Sequence, residues 1–204
     1  DTLRRGKPTT WYVYGEAMGT LAGDGLVLEA LTVAGRAVGQ SRHPERAARA
    51  LAILGEKSGV CGMLGGQSVD VEKTGERLDA TTLDFIYRLK TGALLEAAFM
   101  MGAALGGASE AEISCAEQIG RAVGLAFQIQ DDILDETATE AELGKPLHSD
   151  EKNQKTTYVS LFGLEAAREA VRQQSEAAEQ RLREFPGETE TLAALIAYLT
   201  DRRF

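Results

Sequence analysis

Helical periodicity extends through nearly all of this 204-residue chain, and no stretch alternates apolar and polar residues as a half-buried strand does. The strongest helix signal follows Ser109-Glu110-Ala111-Glu112, a capping-box pattern, after which apolar residues recur every three or four positions. The sequence therefore predicts an all-α fold, a single domain of long helices. The predicted helices cover about residues 45–64, 83–106, 110–131, 156–162, 165–185 and 189–199.

Glycines mark two places where the helical pattern is interrupted or strained. Gly65-Gly66 is predicted to end or interrupt the helix that Pro44 opens. Each glycine costs a helix about 1 kcal/mol relative to alanine, so a glycine-rich helix needs close packing or close backbone approach to offset that cost. We expect such packing between residues 10 and 40, an apolar helical segment that contains Gly15, Gly19, Gly23 and Gly25.

Charge and composition exclude several classes of protein. The net charge is −9, which argues against a general nucleic-acid-binding protein. No apolar run approaches the ~20 residues that cross a bilayer, so the sequence predicts no membrane span. Cys61 and Cys115 match no metal-binding or redox spacing, and we interpret them as reduced thiols of a cytoplasmic protein. No repeat or long linker divides residues 1–204, which are predicted to form one domain.

The sharpest local signal is the string Phe127-Gln128-Ile129-Gln130-Asp131-Asp132-Ile133-Leu134-Asp135. On a helix, Asp131 and Asp135 lie about 40° apart and one turn from each other, and Gln128 lies one turn earlier. Two carboxylates at that spacing repel each other unless a cation bridges them, and their oxygens suit Mg²⁺. A solvated acidic helix end is the alternative that the pattern leaves open. The apolar turns before Asp131 favour a buried helix that faces a cavity.

Basic residues in Gly/Thr-rich contexts are the second signal. Lys90-Thr91-Gly92 stands inside an apolar helical segment, where a lysine is costly unless it is paired or functional. Each basic residue alone is more often a solvated side chain. Together with the aspartates, however, they suit the joint neutralisation of a polyphosphate by cations and Mg²⁺. The other members of this basic set are Arg4, Arg5, Lys145 and Lys155.

In their order along the chain, these motifs resemble those of the trans-isoprenyl diphosphate synthases. They are most similar to those of the bacterial short-chain farnesyl and geranylgeranyl diphosphate synthases, and the resemblance covers essentially the whole chain. The matching motifs are Arg4-Arg5-Gly6-Lys7-Pro8-Thr9, Gly15-Glu16 with Leu21-Ala22-Gly23-Asp24, Gly65-Gly66-Gln67-Ser68-Val69-Asp70, Lys90-Thr91-Gly92, the aspartate string given above, Gly144-Lys145 and Lys155-Thr156-Thr157-Tyr158.

The resemblance implies a fold of long helices around a deep central cavity, present as a homodimer. The implied reaction joins an allylic diphosphate to isopentenyl diphosphate and releases pyrophosphate. Mg²⁺ is the implied metal, bound by Asp131, Asp132 and Asp135, and Lys90 and Asp131 are the implied catalytic residues. Residues 1–204 would then be a polyprenyl synthase domain that lacks its N-terminal part.

The same resemblance assigns substrate-binding residues by matching positions. Arg5 matches a residue that binds isopentenyl diphosphate. Lys155, which we also expect to bind substrate, and Asp70 match positions beside the same pocket. The residues matched to those that hold the allylic diphosphate are Arg4, Lys90, Thr91, Gln128 and Lys145.

Departures from the family pattern leave alternatives open. The family's first aspartate-rich motif, DDxxxxD, normally precedes the Arg-Arg-Gly string, and this sequence begins after that point. We therefore expect part of a longer enzyme, although a non-catalytic partner subunit of a heteromeric synthase is an alternative. A class I terpene cyclase is a second alternative, which the three carboxylates of the aspartate string disfavour. Trp11 and His148 stand where many members have histidine and glycine.

Overall fold

The computed structural model describes residues 2–4, 6–137 and 155–200, and helices make up nearly all of its regular structure. The all-α prediction is therefore confirmed. Two antiparallel strands of two residues each, β1 (Leu3–Arg4) and β2 (Lys7–Pro8), form a hairpin. Strands this short show no alternating pattern in the sequence. The helices are α1 (Thr10–Tyr14), α2 (Glu16–Gln40), α3 (Pro44–Ser58), α4 (Met63–Glu72), α5 (Ala80–Ile86), a π-helix (Tyr87–Gly92), α6 (Ala93–Gly106), α7 (Glu110–Thr137), α8 (Tyr158–Phe162), α9 (Leu164–Glu184) and α10 (Glu190–Thr200).

Helix α7 forms the centre of the packing. It contacts α6, α9, α10, α8 and the π-helix, and its apolar side chains recur every three or four residues as the sequence predicts. Three groups of buried side chains result along its length. They are Ile53, Ala97, Met100, Ala104 and Ile113 near its start; Ile119, Ala122, Val123, Ala178, Leu182 and Ile196 at its middle; and Leu83, Ile86, Ala126, Ile129, Ile133 and Val171 near its end.

The start of α7 has the cap that the sequence predicts. The backbone N–H of Ser109 donates to Glu112 Oε2 at 2.6 Å, and the backbone N–H of Glu112 donates to Ser109 Oγ at 3.3 Å. The Ser109 hydroxyl also donates to Glu112 Oε2, at 2.8 Å. The two hydrogen bonds that the carboxylate accepts, from the Ser109 backbone first and its hydroxyl second, lower the pKa of the Glu112 carboxyl. The capping box satisfies amides that would otherwise lack partners at the helix start.

Backbones approach closely where α4, the π-helix and α7 meet. A Cβ added to Gly66 in α4 would lie 2.3 Å from the backbone N of Lys90, and one added to Gly124 in α7 would lie 2.8 Å from the Cα of Gly92. Only glycine fits at such contacts, because real Cβ atoms do not come so close to backbone. The prediction that Gly65-Gly66 ends or interrupts a helix is therefore wrong. Packing against the π-helix outweighs the low helix propensity of Gly66, and α3 ends earlier, at Ser58.

Helix α2 has no buried residue in the described structure. Within it, a Cβ on Gly19 would lie 2.8 Å from the Cβ of Trp11, whereas Gly23 and Gly25 have nothing within 4 Å. Gly15, just before the helix, also has nothing within 4 Å. The expected close packing is confirmed at Gly19 and is wrong at Gly15, Gly23 and Gly25. By length and composition α2 is the one described helix that could cross a membrane, but a single apolar helix near the N-terminus does not make a convincing span.

An ion network around one buried carboxylate, that of Glu96, joins α3, α6 and α7. Lys57 contacts both Glu96 and Glu117, the latter at 2.6 Å, and Arg121 Nε donates to Glu96 Oε1 at 3.0 Å. Burial lowers the pKa of the Lys57 ammonium, but hydrogen bonds to Glu117 and Glu96 outweigh that effect and leave the pKa raised. The network compensates for the burial of Glu96, which is only 3% exposed.

Candidate functional site

A polar cavity of about 100 Å³ lies between α4, the π-helix, α7 and the segment that leads into α8. Its walls include side chains from each of these four elements. The polar and charged side chains of these walls include Asp70, Tyr87, Lys90, Gln128, Asp132 and Lys155. Helix α4 brings Asp70 to the cavity because Gly66 lets its backbone rest on the π-helix.

Two lysines meet at one carboxylate oxygen on the cavity wall. Lys90 Nζ lies 2.6 Å and Lys155 Nζ lies 3.2 Å from Asp70 Oδ2. Burial raises the pKa of the Asp70 carboxyl, but the Lys90 and Lys155 ammonium groups outweigh that effect and leave the pKa below its ordinary value. Both lysines are half-buried, and they bring two positive charges against one negative charge. These three side chains together carry one excess positive charge, which suits an anionic group at Lys90 and Lys155. Over the whole cavity lining, the lysines at 73, 90 and 155 are matched by the acids at 70, 76 and 132.

The π-helix places Lys90 and Thr91 opposite α7. Thr91 Oγ1 donates to Gln128 Oε1 at 2.7 Å, across the contact of Gly92 with Gly124. A π-helix contains one residue more per turn than an α-helix, and short π-helical segments occur frequently at functional sites. The sequence predicts one continuous helix over residues 83–106, and the structure has a π-helical turn within it.

Asp132 is held by two donors from different parts of the chain. Tyr87 Oη donates to Asp132 Oδ2 at 2.5 Å, and the backbone N–H of Tyr158 donates to the same oxygen at 2.7 Å. The Asp132 residue is 4% exposed. These contacts connect α7 to the π-helix and to the start of α8.

Asp131 and Asp135 lie one turn apart on one side of α7, as the sequence predicts. Asp131 is half-buried and Asp135 is buried. Within residues 2–4, 6–137 and 155–200, no three His, Cys, Asp or Glu side chains are grouped closely enough to hold a metal ion by themselves. Two carboxylates nevertheless fit Mg²⁺, because this ion commonly takes one or two carboxylates and completes its shell with water and substrate phosphate oxygens.

A family model described as polyprenyl synthetase matches residues 1–199. The chain belongs to the polyprenyl synthetase family. It is 40% identical over 183 residues to the farnesyl diphosphate synthase of Geobacillus stearothermophilus, covering 90% of this chain and 62% of that relative. It is 41% identical to geranylgeranyl pyrophosphate synthase 9 of Arabidopsis thaliana, covering 98% of this chain and 57% of that one.

Solved structures agree with this assignment. The geranyltransferase of Legionella pneumophila superposes with a TM-score of 0.82 at 30% identity, covering 100% of this chain and 66% of that structure. A FPP/GFPP synthase from Zymomonas mobilis superposes with a TM-score of 0.81 at 32% identity, covering 98% of this chain and 66% of that structure. This polyprenyl synthetase chain thus has the helical fold of those enzymes, and it spans less than two thirds of the length of the relatives quoted above.

The structure of this polyprenyl synthetase brings several predicted site residues together. Lys90, Thr91, Gln128 and Lys155 all lie at the contact of the π-helix with its neighbours, next to Asp70. Arg4 does not join them, because it is exposed in β1 and takes part in no ion pair among the described residues. The predicted diphosphate ligands Arg5 and Lys145, and the unusual His148, lie outside the described residues.

Sequence reasoning missed Tyr87 and the backbone amide of Tyr158. A tyrosine on the apolar face of a helix needs a hydrogen-bond partner for its hydroxyl, so the position of Tyr87 indicates a buried polar partner. Its partner, Asp132, could not be found in the same way because it lies 45 positions away in the sequence. The metal-binding roles assigned to Asp131, Asp132 and Asp135 stay predictions.

Proposed function

We propose that this protein joins an allylic diphosphate to isopentenyl diphosphate, forms farnesyl or geranylgeranyl diphosphate and releases pyrophosphate. The observation that carries this proposal is the convergence of Lys90 and Lys155 on Asp70 at the cavity next to α7. Relatives named farnesyl diphosphate synthase and geranylgeranyl pyrophosphate synthase support the substrate class.

Lys90 and Lys155 would bind the diphosphate of the allylic substrate. As the C–O bond breaks, negative charge grows on the leaving diphosphate, and fixed cations stabilise that charge more in the transition state than in the ground state. Asp70 holds both ammonium groups at the cavity before substrate arrives, so little reorganisation is needed when the diphosphate binds.

Gln128 would donate a hydrogen bond to the same diphosphate. Its amide oxygen already accepts from Thr91, so the amide NH₂ is the group of Gln128 that can donate to a phosphate oxygen. The Thr91 hydroxyl thereby orients the Gln128 side chain. This arrangement supports the assignment of Thr91 and Gln128 to the substrate site.

Asp131 and Asp135 would hold Mg²⁺, which when bound neutralises diphosphate charge and helps the leaving group to depart. Asp132 completes the motif, although its Oδ2 already accepts two hydrogen bonds within the protein. Arg4, Arg5 and Lys145 remain candidates for contacts with the two diphosphates on the basis of the family match.

We further infer a cytoplasmic homodimer. Cys61 and Cys115 are free thiols, which suits a reducing compartment. Large exposed apolar side chains on α1 and α2 suit an interface with a second copy. A subunit of a heteromeric synthase is the second candidate function, since one relative, 39% identical, is named as the large subunit of a heterodimeric geranylgeranyl pyrophosphate synthase.

The decisive experiment is an assay of the full-length protein. Purified protein is incubated with Mg²⁺, labelled isopentenyl diphosphate and, in separate reactions, dimethylallyl, geranyl or farnesyl diphosphate, and the products are chromatographed. We expect a longer allylic diphosphate from at least one substrate and none after chelation of the metal. The longest product identifies the chain length that the enzyme makes.

A failure to condense any of the three substrates would reject the enzymatic proposal for the protein alone. Condensation that appears only after a second prenyl synthase subunit is added would instead support the heteromeric candidate. Lys90→Met and Lys155→Met should each raise the KM for the allylic substrate and lower kcat, by about tenfold or more, since each removes a charge-assisted contact.

A further inference from the structure

Asp132 differs from its two neighbours in the aspartate motif by what surrounds it. Along an α-helix, successive side chains point about 100° apart, so Asp132 points about 100° from Asp131 and about 60° from Asp135, to one side of the direction that those two share. It lies where α7 meets the π-helix and the start of α8, and its Oδ2 accepts from Tyr87 Oη and from the backbone N–H of Tyr158. Both donors are themselves held in place, Tyr87 by burial and Tyr158 by the helix that it begins.

The contact with Tyr158 lies just after the segment that delivers Lys155 to the cavity. Within the described part of the chain, polar contacts at three residues hold this segment. Lys155 Nζ lies 3.2 Å from Asp70 Oδ2, Thr156 Oγ1 accepts from the backbone N–H of Leu78 at 3.0 Å, and Tyr158 donates to Asp132 at 2.7 Å. Of these three hydrogen bonds and ion pairs, the Tyr158 contact is the one that reaches α7, beside the apolar packing of Val159 against Ile129 and Ile133.

A buried carboxylate in this position is suited to an anchor. The charged Oδ2 makes hydrogen bonds that are stronger than those between neutral groups, and the cost of burying it is repaid only while its donors stay in place. Removing Tyr87 Oη leaves the buried carboxylate with one donor fewer. The loss of stability is then larger than the net contribution of one hydrogen bond, because the carboxylate oxygen stays buried without that donor.

We propose that Asp132 is a positioning residue. It fixes Tyr158, and through the three residues before Tyr158 it sets the place of Lys155 at the diphosphate cavity, while Asp131 and Asp135 are the carboxylates of α7 that face the metal. The proposal rests on the proposed function for the identity of the ligand, a diphosphate with Mg²⁺. The anchor itself is a property of the protein without ligand.

The test compares four single variants of the full-length protein with the wild type by calorimetric titration of inorganic pyrophosphate at a series of Mg²⁺ concentrations. Asp131→Asn should raise the Mg²⁺ concentration needed for half-maximal binding by more than about tenfold, as loss of a ligand does. Asp132→Asn should change it by less than about threefold, because the amide oxygen still accepts hydrogen bonds from Tyr87 and Tyr158.

Asp132→Ala and Tyr87→Phe should act differently from Asp131→Asn. At saturating Mg²⁺ both should weaken pyrophosphate binding by about three- to tenfold, because Lys155 is less well placed. The proposal is overturned if Asp132→Asn shifts the Mg²⁺ requirement as far as Asp131→Asn does. It is also overturned if Tyr87→Phe leaves pyrophosphate affinity at the wild-type value.

Urea unfolding without ligand tests the anchor independently. Tyr87→Phe and Asp132→Ala should be coupled, because each removes the same hydrogen bond. The effect of the double variant on the unfolding equilibrium constant should differ from the product of the two single effects by at least about threefold. Independent effects would overturn the anchor whatever the ligand is. If the wild type binds no pyrophosphate at any Mg²⁺ concentration, the proposed function fails while the coupling result still decides the anchor.

Discussion

Helices α7 and α2 are similar in length and rich in apolar residues, yet α7 buries thirteen of its residues and α2 buries none in the described structure. Helix α7 is surrounded by α6, α9, α10 and the π-helix, whereas α2 contacts α1 and α3. Apolar composition therefore does not decide burial in this chain. What decides it is whether another element lies against the helix.

The uncovered face of α1 and α2 has a consequence for the assembled protein. Contiguous exposed apolar surface of this kind is typical of interaction sites, so we expect it to be covered in the assembled protein. The side chains concerned include Trp11, Tyr12, Met18, Leu21, Leu26, Val27, Leu28 and Val33. The same kind of change should therefore have different effects in the packed region and in α2.

The largest effect is expected from removal of a carboxylate in each helix. Asp131→Ala should lower kcat of the full-length enzyme by about 10³-fold, since it removes a group that we assign to metal and diphosphate charge. Glu29→Ala, which changes an exposed acid of α2, should leave kcat within about twofold. Steady-state kinetics at saturating Mg²⁺ measures both, and near wild-type turnover of Asp131→Ala would refute its assigned role.

Core truncation should give the next largest contrast. Ile129→Ala removes a side chain that is 0% exposed and should lower the unfolding free energy by about 3 kcal/mol. Leu26→Ala, at a side chain that is 73% exposed in the single chain, should change it by less than about 0.5 kcal/mol at protein concentrations where the chain is monomeric. Both are measured by urea denaturation of the 204-residue chain. A loss for Leu26→Ala as large as that for Ile129→Ala would show that α2 is covered in solution.

Glycine substitutions should have opposite signs in the two regions. Gly66→Ala places a Cβ 2.3 Å from the backbone N of Lys90 and should destabilise the fold by about 2 kcal/mol. Gly35→Ala, in α2 with nothing within 4 Å, should stabilise it by about 0.5 kcal/mol because alanine is the better helix former. Thermal unfolding of the two variants beside the wild type decides this, and a stabilised Gly66→Ala would contradict the packing described for α4.

The smallest effect concerns the pH dependence of stability. The Asp70 pKa is lowered in the folded chain, so its contribution is fully present above the ordinary carboxyl pKa of about 4 and is lost as the pH falls through the folded value. The wild type should therefore lose stability more steeply than Asp70→Asn as the pH falls below about 4. Glu29→Gln in α2 is the control, and urea titrations at several pH values measure the slopes. Parallel slopes for wild type and Asp70→Asn would contradict the ion-pair assignment.

Most helices of the fold could be predicted from the sequence because their apolar residues recur with helical spacing and their ends have recognisable caps. The capping box at Ser109 is the clearest case. The end of α3 at Ser58 could not be predicted, because what makes a helix of Gly65-Gly66 is contact with Lys90, more than twenty residues away. The exposure of α2 could not be predicted either, since periodicity cannot show which neighbour is present.

For the site, sequence reasoning selected the residues but not their partners. Lys90, Gln128 and Lys155 were recognisable from the motifs, yet their meeting at Asp70 and Thr91 depends on how α4, the π-helix and α7 cross. The sequence alone does not distinguish the three aspartates of the motif from one another. Their separation into Asp132, held by Tyr87 and Tyr158, and its two neighbours is a result of tertiary structure.

The π-helix also determines how this part of the chain tolerates changes in length. A π-helical turn is equivalent to an α-helix that contains one inserted residue. If residues 87–92 were wound as a regular α-helix, every later residue of α6 would turn by about 100° relative to α5. Glu96 would then leave Lys57 and Arg121, and Ala97 would leave the core. Deleting one residue between Tyr87 and Gly92 would instead remove the π turn and keep α6 in phase with α5, so this segment is where the helix can lose a residue without displacing the core that follows.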